Sequence, residues 1–372
     1  KGRNTMSEHR YLPDTRPYPA EPVKRELLMH AEQAARGGAQ GKLAAEALRA
    51  QIYGMLSQNF YLNLSVALSM TPSEAAYGTM MAALNDVLQA KTDEEIQWFA
   101  LPVILVAGCK QAAALTAAAP VPELSACLAN YPHTRALSRA TWLPQLFTAG
   151  QISEINAGQW FKAKQNAEAA AEFAASLPQN DSLPLVEGQS VSAAFALGYG
   201  GRELTAALGK NLQEAALPLM QVWQQALSAP GVTLFANPLS PDSPPAALTD
   251  AGHMRLRMAL DVFTANSIRS IRLQSPRVGV VMASQEGGKL VFGFNATDSQ
   301  FELQPQTFTW PLSPMDKIEI VQQNFLDLMA ECQVENIRLL HDPIGENDEL
   351  PTYSQAVKLP GHNPLYGDGG HS

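Results

Sequence analysis

The sequence predicts an α+β protein: an N-terminal all-α helical region, then a C-terminal antiparallel sheet covered by two helices, in the ferredoxin-like βαββαβ order with an extra strand. Three observations carry this expectation. From Pro22 to Ala229 apolar residues recur mostly at spacings of three and four, the period of an amphipathic helix. From Ile268 to Pro311 the period drops to two, with short turn-like breaks. A second helical stripe, Ile318, Val321, Phe325, Leu328, Met329 and Cys332, then leads into the short apolar run Asn336–His341.

A chain of 372 residues exceeds one ordinary core, so two main domains are expected. Their boundaries fall at composition changes: an extended arm over 1–21, a helical domain over 22–229, an α+β domain over 230–342 and an irregular tail over 343–372. The arm carries Tyr11, Pro13, Pro17, Tyr18 and Pro19, and proline both fixes φ and removes a hydrogen-bond donor. It has no apolar core and is not a secretory signal. Residue 1 is Lys, so residues ahead of it are expected, or a start at Met6 behind a leader.

The helical elements follow from local signals. Glu21–Arg36 ends at Gly37-Gly38, and Leu48, Ile52, Leu56, Phe60 and Leu64 form one face of the next helix. Thr71-Pro-Ser-Glu74 reads as a cap, a first-turn proline and a capping-box glutamate, opening a helix with Tyr77, Met80, Met81, Leu84, Val87 and Leu88 inward. Thr92-Asp-Glu-Glu95 repeats the box ahead of a helix that Pro102 interrupts. Trp98–Val121 carries a single charge, Lys110, but its strongly apolar part is about half the ~20 residues a membrane span needs, so it reads as a buried helix. Further helices are expected near 120–130, 134–147, 153–176 and 202–227, with 177–190 as a loop.

Beyond Gly231 the expected order changes. Val232–Pro238 reads as a strand, 239–245 as a proline-rich linker and 246–265 as a helix. Ile268–Gln274, Val278–Ala283, Lys289–Asn295 and the run from Phe301–Leu303 to Thr307–Trp310 are the strands. Glu286-Gly-Gly supplies the positive-φ positions of a hairpin turn. Ser313-Pro314 starts the last helix. In the tail, Leu359, Leu365 and Tyr366 are candidate anchors on another surface.

Charge and cysteine usage exclude several functions. Net charge is −9 and no Lys/Arg cluster is present, which disfavours nucleic acid. Three widely spaced cysteines, Cys109, Cys127 and Cys332, form no CxxC pair and suit a reducing, cytoplasmic setting. No G-x-S-x-G element, metal-ligand spacing or dinucleotide fingerprint occurs, so no catalytic residue, metal or cofactor is assigned.

Two groups remain as ligand candidates. Gly198, Tyr199, Gly200, Gly201 and Arg202 precede a predicted helix, and glycines at a helix start let an anion approach backbone N–H groups. His341 and Asp342, with Glu346, Asp348 and Glu349, place carboxylates near one imidazole. Cys109 and His133 form a third, weaker pairing, while His30 and His253 read as surface or capping residues. The function these features favour is a non-enzymatic interaction or scaffold protein, pairing with a protein partner or with itself. The alternative is an enzyme or a sensor of a small anion or phosphate, with its site in a crevice between the two domains.

Overall fold

The computed structural model describes residues 22–185, 187–297, 305–312 and 316–363. The arm over 1–21, Phe301–Leu303, the cap Ser313-Pro314, and Leu365 with Tyr366 therefore lie outside the described residues. The remainder is a mixed α+β structure with helices at the N-terminal end, and no described helix is long and apolar enough to cross a membrane.

The described residues open with four helices: α1 (Pro22–Ala35), α2 (Gly38–Ser57), α3 (Tyr61–Ser69) and α4 (Glu74–Leu88). These follow the predicted stripes: Leu48, Ile52, Leu56 and Leu64 are buried, whereas Phe60 is half exposed where α3 begins. His30 Nδ1 lies 3.0 Å from Gln51 Oε1, tying α1 to α2. The start of α4 differs in detail. Its cap is Ser73, whose Oγ accepts the Ala76 N–H at 3.2 Å, while Thr71 Oγ1 turns back to donate to Leu68 O.

The next segment overturns the all-α expectation. Residues read as a buried helix form β1 (Gln97–Cys109), followed by β2 (Ala113–Thr116) and α5 (Val121–Ala129). A 3₁₀ turn over Arg135–Arg139 leads into β3 (Thr141–Thr148), where a helix was expected. Then come α6 (Ala149–Glu154), α7 (Ala157–Ala163), α8 (Ala167–Ser176), β4 (Ser182–Leu185) and β5 (Gly188–Gly200). A 3₁₀ turn over Arg202–Ala207, α9 (Ala216–Ala226) and β6 (Val232–Pro238) complete this half. The strands form a four-stranded sheet ordered β3-β5-β1-β6, and β1 runs antiparallel to both neighbours.

The misreading has a physical cause. A strand buried on both faces shows a continuous apolar run, which periodicity alone cannot separate from a buried helix. Pro102 fits the strand because of where it falls. Ala100 exchanges both backbone bonds with Asp242, and Pro102, two residues on, faces the same side. There it accepts from Leu239 N–H, and β6 pairs with β1 only from Val103 onward, so no ladder bond requires its missing N–H.

The long alanine-rich helix is broken for a similarly local reason. Thr148 and Asn156 each form a full capping box with the glutamine three residues on, and Asn166 caps α8. Three helix starts within twenty residues outweigh alanine's propensity.

The C-terminal part contains α10 (Pro244–Arg272), β7 (Val278–Gln285), β8 (Lys289–Ala296), β9 (Gln306–Pro311), α11 (Ile318–Glu331), β10 (Asn336–Leu340), α12 (Tyr353–Ala356) and β11 (Gly361–His362). The predicted strand Ile268–Gln274 is instead the end of α10 and the turn after it, with Ile268 and Ile271 buried three residues apart. Its S-I-R-S-I-R spacing satisfies a helix as readily as a strand. The five-stranded sheet is ordered β11-β10-β7-β8-β9, with β10 parallel to β7. The succession β6-α10-β7-β8-β9-α11-β10 keeps the βαββαβ order with an extra strand, but β6 pairs with β1 in the four-stranded sheet and β10 is parallel to β7, so the expected single antiparallel sheet is not formed. The β7–β8 hairpin turns at Gly287 and Gly288, both with positive φ (83° and 72°), as its glycines require.

The chain divides into two units. One holds the described residues of Ala259–Ser372 with Pro72–Gly78; the other holds those of Pro19–Thr71 and Thr79–Met258. In the second unit, Phe99, Leu101, Val103 and Leu105 of β1 share a core with Leu219 and Trp223 of α9. In the first, Phe292 and Phe294 of β8 pack against Phe325 of α11, and Phe263 of α10 meets Phe294 and Phe308.

Candidate docking groove

Strand alternation gives the five-stranded sheet two unlike faces. Leu290, Phe292, Phe294, Phe308 and Trp310 point to the helices. Gln285, Val291, Gly293, Thr307 and Thr309 lie on the other face. The segment after β10, expected to be an irregular tail, covers part of that second face. Leu350 sits over Gly293, where an added Cβ would come within 2.5 Å of Leu350 Cδ2. Tyr353 covers Gly279 in the same way, with 2.6 Å to its Cβ, and its N–H donates to Asn295 Oδ1 at 3.0 Å. Val281, Ala283, Val291, Leu340, Leu350 and Ala356 thereby form a small core of their own.

The covering stops short of β9. Between the 344–350 segment and β9 runs a groove of about 290 Å³, floored by Val291 and flanked by Gln285, Thr307, Thr309, Asp348 and Glu349. Both threonines are exposed, as are both carboxylates. Asp348 Oδ2 accepts the Gly345 N–H at 3.0 Å, which shapes the loop. Gln285 Nε2 donates to Glu346 O at 3.1 Å, and Lys289 Nζ lies 3.6 Å from Glu346 Oε1, so the loop is tied to the β7–β8 hairpin. Among the described residues, no strand pairs with the outer side of β9.

The sequence-predicted candidates fall in different places. His341 and Asp342 are exposed just past β10, in the unit that holds the groove. Asp348 and Glu349 line the groove itself. Gly198–Arg202 belong to the other unit and do not open a long helix. Gly198, Tyr199 and Gly200 end β5, and Gly201 precedes a short 3₁₀ turn. Their glycines serve close packing. A Cβ on Gly198 would lie 2.6 Å from Phe99 Cζ, and one on Gly200 would lie 2.9 Å from Leu204 Cδ1. Tyr199 stacks at 4.7 Å on Trp98, while Arg202 is exposed. Cys109 ends β1, and His133 lines a separate shallow depression of about 170 Å³ with Tyr131 and Glu214. No group of three or more potential metal ligands occurs among the described residues.

The sequence reading missed a buried cation, Lys164. Lys164 is only 2% exposed, and its Nζ donates to Val87 O at 3.0 Å and Gln89 O at 2.7 Å, at the end of α4. Glu95 Oε1 lies 3.4 Å away. Burial pushes the Lys164 pKa down, opposed by the Glu95 charge. Burial alone would raise Glu95. The Lys91 N–H, the Lys164 ammonium and the Thr92 N–H outweigh it and hold the carboxyl below its ordinary value. The Thr92–Glu95 spacing thus makes its hydrogen bond, at 3.2 Å, but in a turn before a strand rather than at a helix start. Every donor position of this lysine is engaged, which makes it a cation satisfying the last carbonyls of a helix.

No protein-family model, curated protein or solved structure matches the chain.

Proposed function

We propose that this chain is a non-enzymatic interaction protein whose partner docks on the β9 flank of the five-stranded sheet. The observation that supports this reading is the uneven covering of one sheet face. Leu350 and Tyr353 seal it over β7 and β8, and it lies open over Thr307 and Thr309 of the edge strand. A strand with an uncovered face and an unpaired edge is a ready template for another chain, and proteins that do not use such an edge usually blunt it. A second, smaller feature of the same kind lies on the helices: Tyr53, Phe60 and Leu62 at the α2–α3 corner are 48%, 50% and 69% exposed.

Site-specific photo-cross-linking tests the proposal. A benzophenone side chain placed at Thr309 is expected to yield a discrete adduct in the producing cells. A benzophenone at exposed Glu168 on α8 serves as the control. No adduct at Thr309, or the same adduct from both positions, sinks the proposal.

A further inference from the structure

We infer that the occupant of the β9 flank is an extended basic segment of a partner, added beside β9 as a further strand with a lysine or arginine reaching the Asp348 and Glu349 carboxylates. This rests on the interaction reading above and supplies the chemistry of the partner. The edge provides the mode of binding, because β9 offers six residues, Gln306–Pro311, with no strand on its outer side among the described residues. Main-chain hydrogen bonds to such an edge give affinity, and alternate side chains entering a groove give specificity.

The groove provides the sign of the charge. One wall carries Asp348 and Glu349, and among the described residues the opposite wall carries the neutral Pro305, Thr307 and Thr309. Lys289, on the neighbouring hairpin, is turned to Glu346. An ammonium or guanidinium entering over Val291 would find two carboxylates and two hydroxyls as acceptors, with its aliphatic stem on an apolar floor. A second copy of this chain is the poorer occupant. Pairing β9 with β9 would bring two Asp348–Glu349 rims together, and like charges across a contact oppose association.

Fluorescence anisotropy with the full chain provides the test. The probe is a labelled eight-residue peptide of alternating lysine and valine, compared with its glutamate–valine counterpart at moderate salt. The basic peptide is expected to bind at least tenfold more tightly, and Glu349→Lys is expected to reverse the order. Glu349 is exposed, and Glu349→Gln, which keeps its shape, is expected to weaken the basic peptide without disturbing the fold. Of two N-methylated basic peptides, one blocking odd amides and one blocking even amides, only one is expected to lose binding, because a strand bonds its neighbour through alternate residues.

Equal binding of both peptides, indifference to Glu349→Lys, or full binding by both methylated forms overturns the inference. So does a dimer by light scattering that Thr309→Arg dissolves. If the basic peptide fails while Thr309 still cross-links a partner, the charge assignment falls and the interaction reading stands. If both fail, both fall.

Discussion

The two sheets put the same element to different uses. In the four-stranded sheet the central strand, β1, is paired along both edges and buried along nearly its whole length. One of its faces meets Leu219 and Trp223, and on the other Trp98 contacts Trp160, Phe173 and Tyr199. In the five-stranded sheet, β7 and β8 are similarly enclosed, but β9 alternates between inward Phe308 and Trp310 and outward Thr307 and Thr309. A strand closed on every side contributes stability and leaves nothing to bind with. A strand closed on one face and one edge keeps a surface for recognition.

The largest expected effect breaks the sealed half at the buried cation Lys164. Lys164→Met leaves Val87 O and Gln89 O without their donor and Glu95 without its counter-charge. Removing one partner of a buried pair typically costs about 3 to 5 kcal/mol, so a loss of about 3 kcal/mol is expected in urea unfolding. A loss under ~1 kcal/mol would show that this region relaxes around the change.

A smaller effect sharpens the contrast between the sheets through their glycines. Gly198→Ala places a methyl 2.6 Å from the ring of fully buried Phe99, which cannot turn away, and is expected to cost about 1 to 3 kcal/mol. Gly293→Ala meets the end of the Leu350 side chain, which can change rotamer beside the open groove, so a cost below ~1 kcal/mol is expected. Paired urea titrations compare them. Equal losses would remove the distinction between a closed and a yielding sheet face.

The smallest effect is a pH slope. Glu95 has a folded-state pKa below its ordinary value of 4.5, so its contribution is fully present above that value. The contribution is lost as pH falls through the lower folded value. The stability gap between wild type and Glu95→Gln is therefore expected to stay constant from neutral pH to about 4.5 and to shrink below it. Lys164 adds a slope of the same sign in a more alkaline window: with its folded pKa held below 10.5, the fold gains as pH rises toward that value. A gap that widens on acidification would contradict the proposed electrostatics of the pair.

Legibility followed exposure. The β7–β8 hairpin was readable because Gly287-Gly288 demands positive φ and the strands beside it are short. Helices α2, α4 and α11 were readable because each has one wet face and one dry one. β1 was not, since burial on both faces erases the alternation that marks a strand. The groove was half legible. Its carboxylates stood out as a cluster, but the composition of 343–372 suggested disorder, and the Leu350 and Tyr353 side chains hold that segment only because Gly293 and Gly279 leave room for them. Lys164 carried no signal at all: one of two lysines among the alanines of 157–176, it looks like any solvated helix residue.

By itself, the sequence determined the amphipathic helices, the glycine hairpin, the acidic balance and the alternating face of β9, because each depends on neighbours a few residues away. Tertiary structure decided that Gln97–Cys109 is a central strand, that Gly198 makes room for a ring rather than a ligand, and that among the described residues β9 ends its sheet with one face uncovered. Those outcomes depend on groups brought together from distant parts of the chain, and no local pattern encodes which neighbour will arrive or which will be missing.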